Sequence, residues 1–122
     1  MKLFIFSIDD GTIYDQKVLQ IFDKYKINAT FNLNSGLENF VWYLDDLPIN
    51  RLNLKDNKDL YKNHEIASHS LTHPHLTMCP GEVIVKEVGE DITILGHRTR
   101  ILGCSTAEMK VSSGGQLVIK KY

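Results

Sequence analysis

Lys2-Leu3-Phe4-Ile5-Phe6-Ser7-Ile8-Asp9-Asp10-Gly11-Thr12 is the stretch on which the fold turns. From Lys2 to Ile8 the residues are mostly apolar and either aromatic or β-branched, and the run stops abruptly at Asp9-Asp10-Gly11. That pattern predicts a buried strand that delivers two carboxylates into a loop. Adjacent carboxylates at the end of an apolar strand suffer desolvation and mutual repulsion unless a cation or a shared proton relieves them. An Asx turn or helix N-cap also favours Asp and Gly, so this stretch alone leaves the chemistry open.

Working outward, Val18, Leu19, Phe22 and Tyr25 fall at helical spacing and predict a helix over Asp15 to Tyr25. Ala29 to Leu33 reads as a second strand, followed by the polar Asn34, Ser35 and Gly36. Strand, helix and strand within about thirty residues make a βαβ unit, hence a parallel sheet. Leu37 to Asn53 shows no clear period. Its aromatics Phe40, Trp42 and Tyr43 are assigned to core packing ahead of stacking on a sugar ring. A weak helix is expected over Leu54 to Lys62, then a third strand at Glu65-Ile66-Ala67-Ser68. Pro80-Gly81-Glu82 opens a second helix, with Ile84, Val88, Ile92 and Leu95 on one stripe. Beyond Gly96 the pattern changes. Met109 and Val111, then Leu117 and Ile119 across Ser113-Gly114-Gly115, predict a β-hairpin in the tail.

The second chemical cluster is His64-Glu65-Ile66-Ala67-Ser68-His69-Ser70-Leu71-Thr72-His73-Pro74-His75, which holds four of the five histidines. His69 and His73 are four apart, so one helical turn would set both imidazoles on one side. Parallel strands present their C-terminal ends together, which brings this pair to the same sheet edge as Asp9 and Asp10. Two imidazoles and a carboxylate suit zinc or another borderline divalent metal.

The chain has 122 residues, with 14 Lys+Arg against 15 Asp+Glu and a net charge of −1. One domain is expected at this length. The charge balance supplies no attraction for a phosphate backbone, which argues against a nucleic-acid partner. No apolar run is long enough to cross a bilayer. Leu3-Phe4-Ile5-Phe6 is too short for a signal-peptide core, so no membrane partner and a cytoplasmic location are expected for the chain as given. Cys79 and Cys104 lack CxxC spacing and indicate neither a disulfide framework nor a zinc knuckle.

Ser7-Ile8-Asp9-Asp10-Gly11 resembles the first motif of the polysaccharide deacetylases, the NodB-homology domain of carbohydrate esterase family 4. His69-Ser70-Leu71-Thr72-His73 resembles their second motif, and Ala29-Thr30-Phe31-Asn32 and Glu65-Ile66-Ala67-Ser68 are similar to the segments between. The first motif departs slightly, with Ser7-Ile8 where Thr-Phe is usual. The resemblance implies an α/β fold, a partial distorted (β/α) barrel, over residues 1–95, with 96–122 as a divergent tail. It implies metal-dependent removal of acetyl groups from an N- or O-acetylated sugar or polysaccharide, with an acetylated amino sugar as substrate. Asp9 would be the general base. Asp10, His69 and His73 would hold a divalent metal, zinc first and cobalt or another divalent ion as alternatives. The family's later Arg-x-x-Tyr motif has no counterpart, because no Tyr follows Arg98 or Arg100 at suitable spacing. Leu95-Gly96-His97 matches the late Leu-x-His motif in letters but follows the second helix directly, and His97 is read as a chance match. These departures imply a truncated domain with impaired turnover.

Two rivals are weighed against this reading. Ile8-Asp9-Asp10-Gly11-Thr12 is similar to the Asp-x-Asp-Gly-Thr signature of haloacid-dehalogenase-type phosphatases, but Ile8 stands where the nucleophilic Asp is required. The other rival is a carbohydrate- or metal-binding fragment without catalysis. Half a barrel would also expose sheet edges, and self-association through them is expected.

Overall fold

The structure is a computed structural model that describes residues 2–57, 59–96, 100–101, 107–111 and 117–121. His97, Arg98, Cys104 and the Ser113-Gly114-Gly115 turn lie outside the described residues. The central sheet contains β1 (Ser7–Asp10), β2 (Thr30–Leu33), β5 (Glu65–Ser68) and β6 (Arg100–Ile101), in that order and parallel throughout. Helix α1 (Asp15–Tyr25) links β1 to β2, and α2 (Gly81–Leu95) lies between β5 and β6. Among the described residues the sheet stays open and does not close into a barrel.

The βαβ start follows its periodicity. Leu19 of α1 is buried against Ala29, Phe31, Leu33, Leu52 and Tyr61, with Val18 and Phe22 flanking. The helix ends in a Schellman arrangement, where Lys26 N–H bonds Asp23 O at 3.2 Å and Ile27 N–H bonds Phe22 O at 2.8 Å. Lys26 takes the left-handed conformation this requires, with φ 54°. Tyr61 packs on Phe31 with ring centroids 5.0 Å apart and donates its hydroxyl to Asp15 Oδ2 at 2.8 Å. Burial raises the pKa of both groups, and it outweighs the hydrogen bonds from Tyr61 and Thr12 that pull Asp15 the other way.

Four sequence expectations are corrected here. The first strand begins at Ser7, and Leu3, Phe4 and Ile5 are about four-fifths exposed. The reason is strand length: β2 starts at Thr30, opposite Ser7, so among the described residues the backbone before Ser7 is paired only through the bond from Thr30 N–H to Phe6 O. Across Leu54 to Lys62 the described residues, 54–57 and 59–62, form turns instead of a helix. Asn53 Oδ1 accepts from the N–H groups of Lys55 and Asp56 at 3.0 and 3.2 Å, and that local capping competes with helical pairing. Leu37 to Asn53 holds an antiparallel hairpin, β3 (Val41–Leu44) and β4 (Leu47–Asn50), closed by Asp45-Asp46 with φ 47° and 63°. Two positive φ values make the turn type I′, which matches strand twist. Within it Phe40 and Tyr43 are exposed, against the core role expected for them. In the tail, β7 (Ala107–Val111) and β8 (Leu117–Lys121) pair antiparallel, in agreement with the hairpin pattern.

Candidate metal centre

Asp10 ends β1, opposite Leu33, and turns out of the sheet with φ 83°; Gly11 follows at φ 67°. A Cβ on Gly11 would stand 3.1 Å from Leu33 Cδ2, so glycine serves both the turn and the close approach. His69 follows directly on β5, its N–H bonded to Leu33 O at 3.0 Å. The C-terminal ends of β1, β2 and β5 therefore bring Asp10 and His69 to one edge.

His73 reaches the same point by a different route from the one its spacing suggests. Residues 69–75 form a loop, not a helical turn, with Ser70 at φ 69° and His73 at φ 58°. Left-handed backbone at two non-glycine residues is strained and persists only where surrounding contacts over-determine it. The contacts are present. Leu71 O accepts Gly36 N–H at 2.9 Å, and a Cβ on Gly36 would fall 2.7 Å from that oxygen. Asn34 Nδ2 donates to His69 O at 2.5 Å and to Ser70 O at 2.8 Å.

The outcome is a triangle of ligand atoms. His69 Nε2 and His73 Nε2 are 3.1 Å apart, and Asp10 Oδ1 lies 3.7 Å from the first and 3.5 Å from the second. Ligands held ~2.0–2.1 Å from a tetrahedral ion stand about 3.3–3.4 Å from each other, so these edges fit one face of such a site. Asp10 Oδ1 is also sealed from solvent and lacks a hydrogen bond, although Arg51 Nη1 approaches it at ion-pair distance, 3.1 Å. An anionic acceptor without a hydrogen bond, facing two imidazole nitrogens, is chemically suited to a divalent cation.

Asp9 is not part of that triangle. Its neighbour across the sheet, the buried Asn32, donates Nδ2 to Asp9 Oδ1 at 2.6 Å and to Ser7 Oγ at 2.8 Å. Among the described residues Asp9 Oδ2 has no hydrogen-bond donor, and the residue is exposed.

Several supporting residues escape a reading of the sequence. Arg51, just past β4, is buried, donates Nη1 to Asp10 O and lies 3.2 Å from Asn34 Oδ1. The hairpin is held there by Ile13 N–H to Asn50 O and Leu52 N–H to Gly11 O, at 3.0 and 2.9 Å. Asp91 of α2 is fully buried and accepts from Ser35 and Ser68. Burial raises its pKa, against the lowering effect of those bonds. A polar residue at a helical core position is the one signal for Asp91 that the sequence carries.

Compared with known families, residues 2–101 match the family described as polysaccharide deacetylase. No curated protein and no solved structure gives a significant match.

Proposed function

The chain belongs to the polysaccharide deacetylase family, and on that premise we propose that it hydrolyses acetyl groups from an acetylated amino sugar or its polymer, using a divalent metal. The observation that carries this reading is the convergence of Asp10 Oδ1, His69 Nε2 and His73 Nε2 within 3.7 Å of one another. These three residues would hold the ion, and the mixed nitrogen and oxygen donors favour zinc, with cobalt as a substitute. When bound, such an ion polarises a carbonyl and lowers the pKa of a coordinated water toward ~7.

The chain's own residues supply the rest. Asn32 fixes one oxygen of Asp9, and in this reading the other, Oδ2, is the base that accepts the proton of an attacking water. Arg51 balances the charge of Asp10 and, through Asn34, ties it to the backbone of His69 and Ser70. The exposed Phe40 and Tyr43 favour a second reading, in which the chain binds sugars without hydrolysing them.

The test is acetate release from N-acetylglucosamine oligomers with Zn²⁺ or Co²⁺ supplied. Metal-dependent turnover that falls ~10²–10⁴-fold in Asp9→Asn is expected. Oligomer affinity without turnover would select the binding reading instead.

A further inference from the structure

Helix α2 carries two carboxylates one turn apart, Glu87 and Asp91, and each engages the residue that immediately precedes one of the paired histidines. Asp91 Oδ2 accepts Ser68 Oγ at 2.5 Å, one residue before His69. Glu87 takes Thr72, one residue before His73, with both oxygens: Thr72 N–H donates to Oε2 and Thr72 Oγ1 to Oε1, each at 2.8 Å. The backbone joins in, since Leu71 N–H donates to Glu87 O at 3.0 Å. The four-residue interval between the histidines is therefore matched by a four-residue interval on the helix.

We propose that Glu87 and Asp91 are positioning residues of the metal centre, a matched pair on α2 that fixes the separation of the His69 and His73 Nε2 atoms at the bite of one ion. This rests on reading Asp10, His69 and His73 as its ligands. The physical need is specific to this loop. A helix would space the two imidazoles through its own hydrogen bonds, but residues 69–75 are not helical and two of them hold left-handed backbone. Thr72 is exposed, so burial does not hold it, and among the described residues its side chain is anchored by the Glu87 carboxylate. A carboxylate accepting two bonds from one residue fixes both position and orientation, and charge assistance strengthens each bond. Asp91 does the same for the anchored end, because its other oxygen accepts Ser35 N–H and Oγ at 2.7 and 2.5 Å and so locks the end of β5 to the segment after β2. Neither carboxylate reaches the triangle of ligand atoms. Their action is on the backbone that carries it.

The experiment is calorimetric titration of the whole chain with Zn²⁺, comparing wild type, Glu87→Ala, Glu87→Gln, Ser68→Ala and His69→Ala. Glu87→Ala should weaken zinc binding about 10- to 100-fold, the range seen when outer-shell partners of metal ligands are removed. Its metal-free thermal midpoint should stay near that of wild type, since Ala suits a helix interior. Glu87→Gln should restore most of the affinity, because the amide oxygen accepts Thr72 N–H and the amide nitrogen donates to Thr72 Oγ1. Ser68→Ala, which frees the anchored end, should also weaken binding. Wild-type affinity in Glu87→Ala overturns the proposal while leaving the ligand assignment standing. Equal loss in Glu87→Ala and Glu87→Gln assigns the effect to charge and overturns it too. Equal binding by wild type and His69→Ala overturns the ligand assignment itself, and the positioning role with it.

Discussion

Arg51 Nη1 stands 3.1 Å from Asp10 Oδ1, the same oxygen that faces both imidazoles. The carboxylate therefore has a resident counter-charge as well as a place for a cation. Removing the guanidinium in Arg51→Met leaves Asp10, about one-quarter exposed, without its partner. The metal-free variant should lose about 1–3 kcal/mol, the usual cost of an unsatisfied buried polar group. Zinc should then raise its thermal midpoint by more than it raises that of wild type, because the ion takes over the charge balance at Asp10. Equal midpoint shifts in the two proteins would refute the coupling.

Asp10→Asn and His73→Ala each remove one corner of the ligand triangle. Zinc affinity should fall by more than about 100-fold in either, beyond the usual loss for an outer-shell change. Competition with a chromophoric chelator measures this directly, and affinity within a few-fold of wild type would count against the assignment.

Asp15 supplies a pH signature of the core. Burial raises its pKa above the usual carboxylate value, so the fold is favoured while the group is protonated. That contribution is complete below the unfolded pKa near ~3.9 and is lost as pH climbs through the folded value. Asp15→Asn keeps an acceptor for the Tyr61 hydroxyl and removes the titration. Urea unfolding at a series of pH values should show the variant gaining stability relative to wild type as pH rises from 4. A difference that does not change with pH would argue against it.

Lys26 terminates α1 in the left-handed region at φ 54°. A side chain there costs roughly 1–2 kcal/mol that glycine avoids, part of which is returned by glycine's greater freedom in the unfolded chain. Lys26→Gly should therefore stabilise the protein by about 0.5–1 kcal/mol in urea denaturation. A loss of stability would show that the lysine makes an offsetting contact.

Strand β1 is an edge strand, and the exposed Leu3, Phe4 and Ile5 precede it. Such an edge next to an apolar arm favours pairing with a second copy. Sedimentation velocity should show concentration-dependent association that Ile5→Lys suppresses. A wild-type monomer at all concentrations would dispose of this expectation.

Much of this candidate site is legible in the sequence because its proposed ligands lie at the ends of short apolar runs. Asp9-Asp10-Gly11 and Ser68-His69 each close such a run, and parallel pairing makes their convergence a matter of topology. The reason given by spacing for the pairing of His69 and His73 does not hold, since a braced loop replaces the helical turn. Arg51, Asn34, Glu87 and Asp91 stay hidden because their roles depend on contacts spanning 15 to 56 residues. The β3–β4 hairpin escapes for a local reason: Asp45-Asp46 makes a type I′ turn without the glycine that usually advertises one. The exposed arm shows the opposite failure, an apolar run whose partner strand is too short to cover it.

Strand order carries a kinetic consequence. Asp10 and His69 are 59 positions apart, and they meet only when β1 and β5 have both docked on β2. Closing such distant segments is a slow, entropy-limited step that precedes any reward from an ion. An ion that recognises only the completed edge should leave the refolding rate nearly unchanged and reduce the unfolding rate by almost the full factor it adds to stability. In stopped-flow measurements, saturating zinc should lower the unfolding limb of the chevron and leave the folding limb in place.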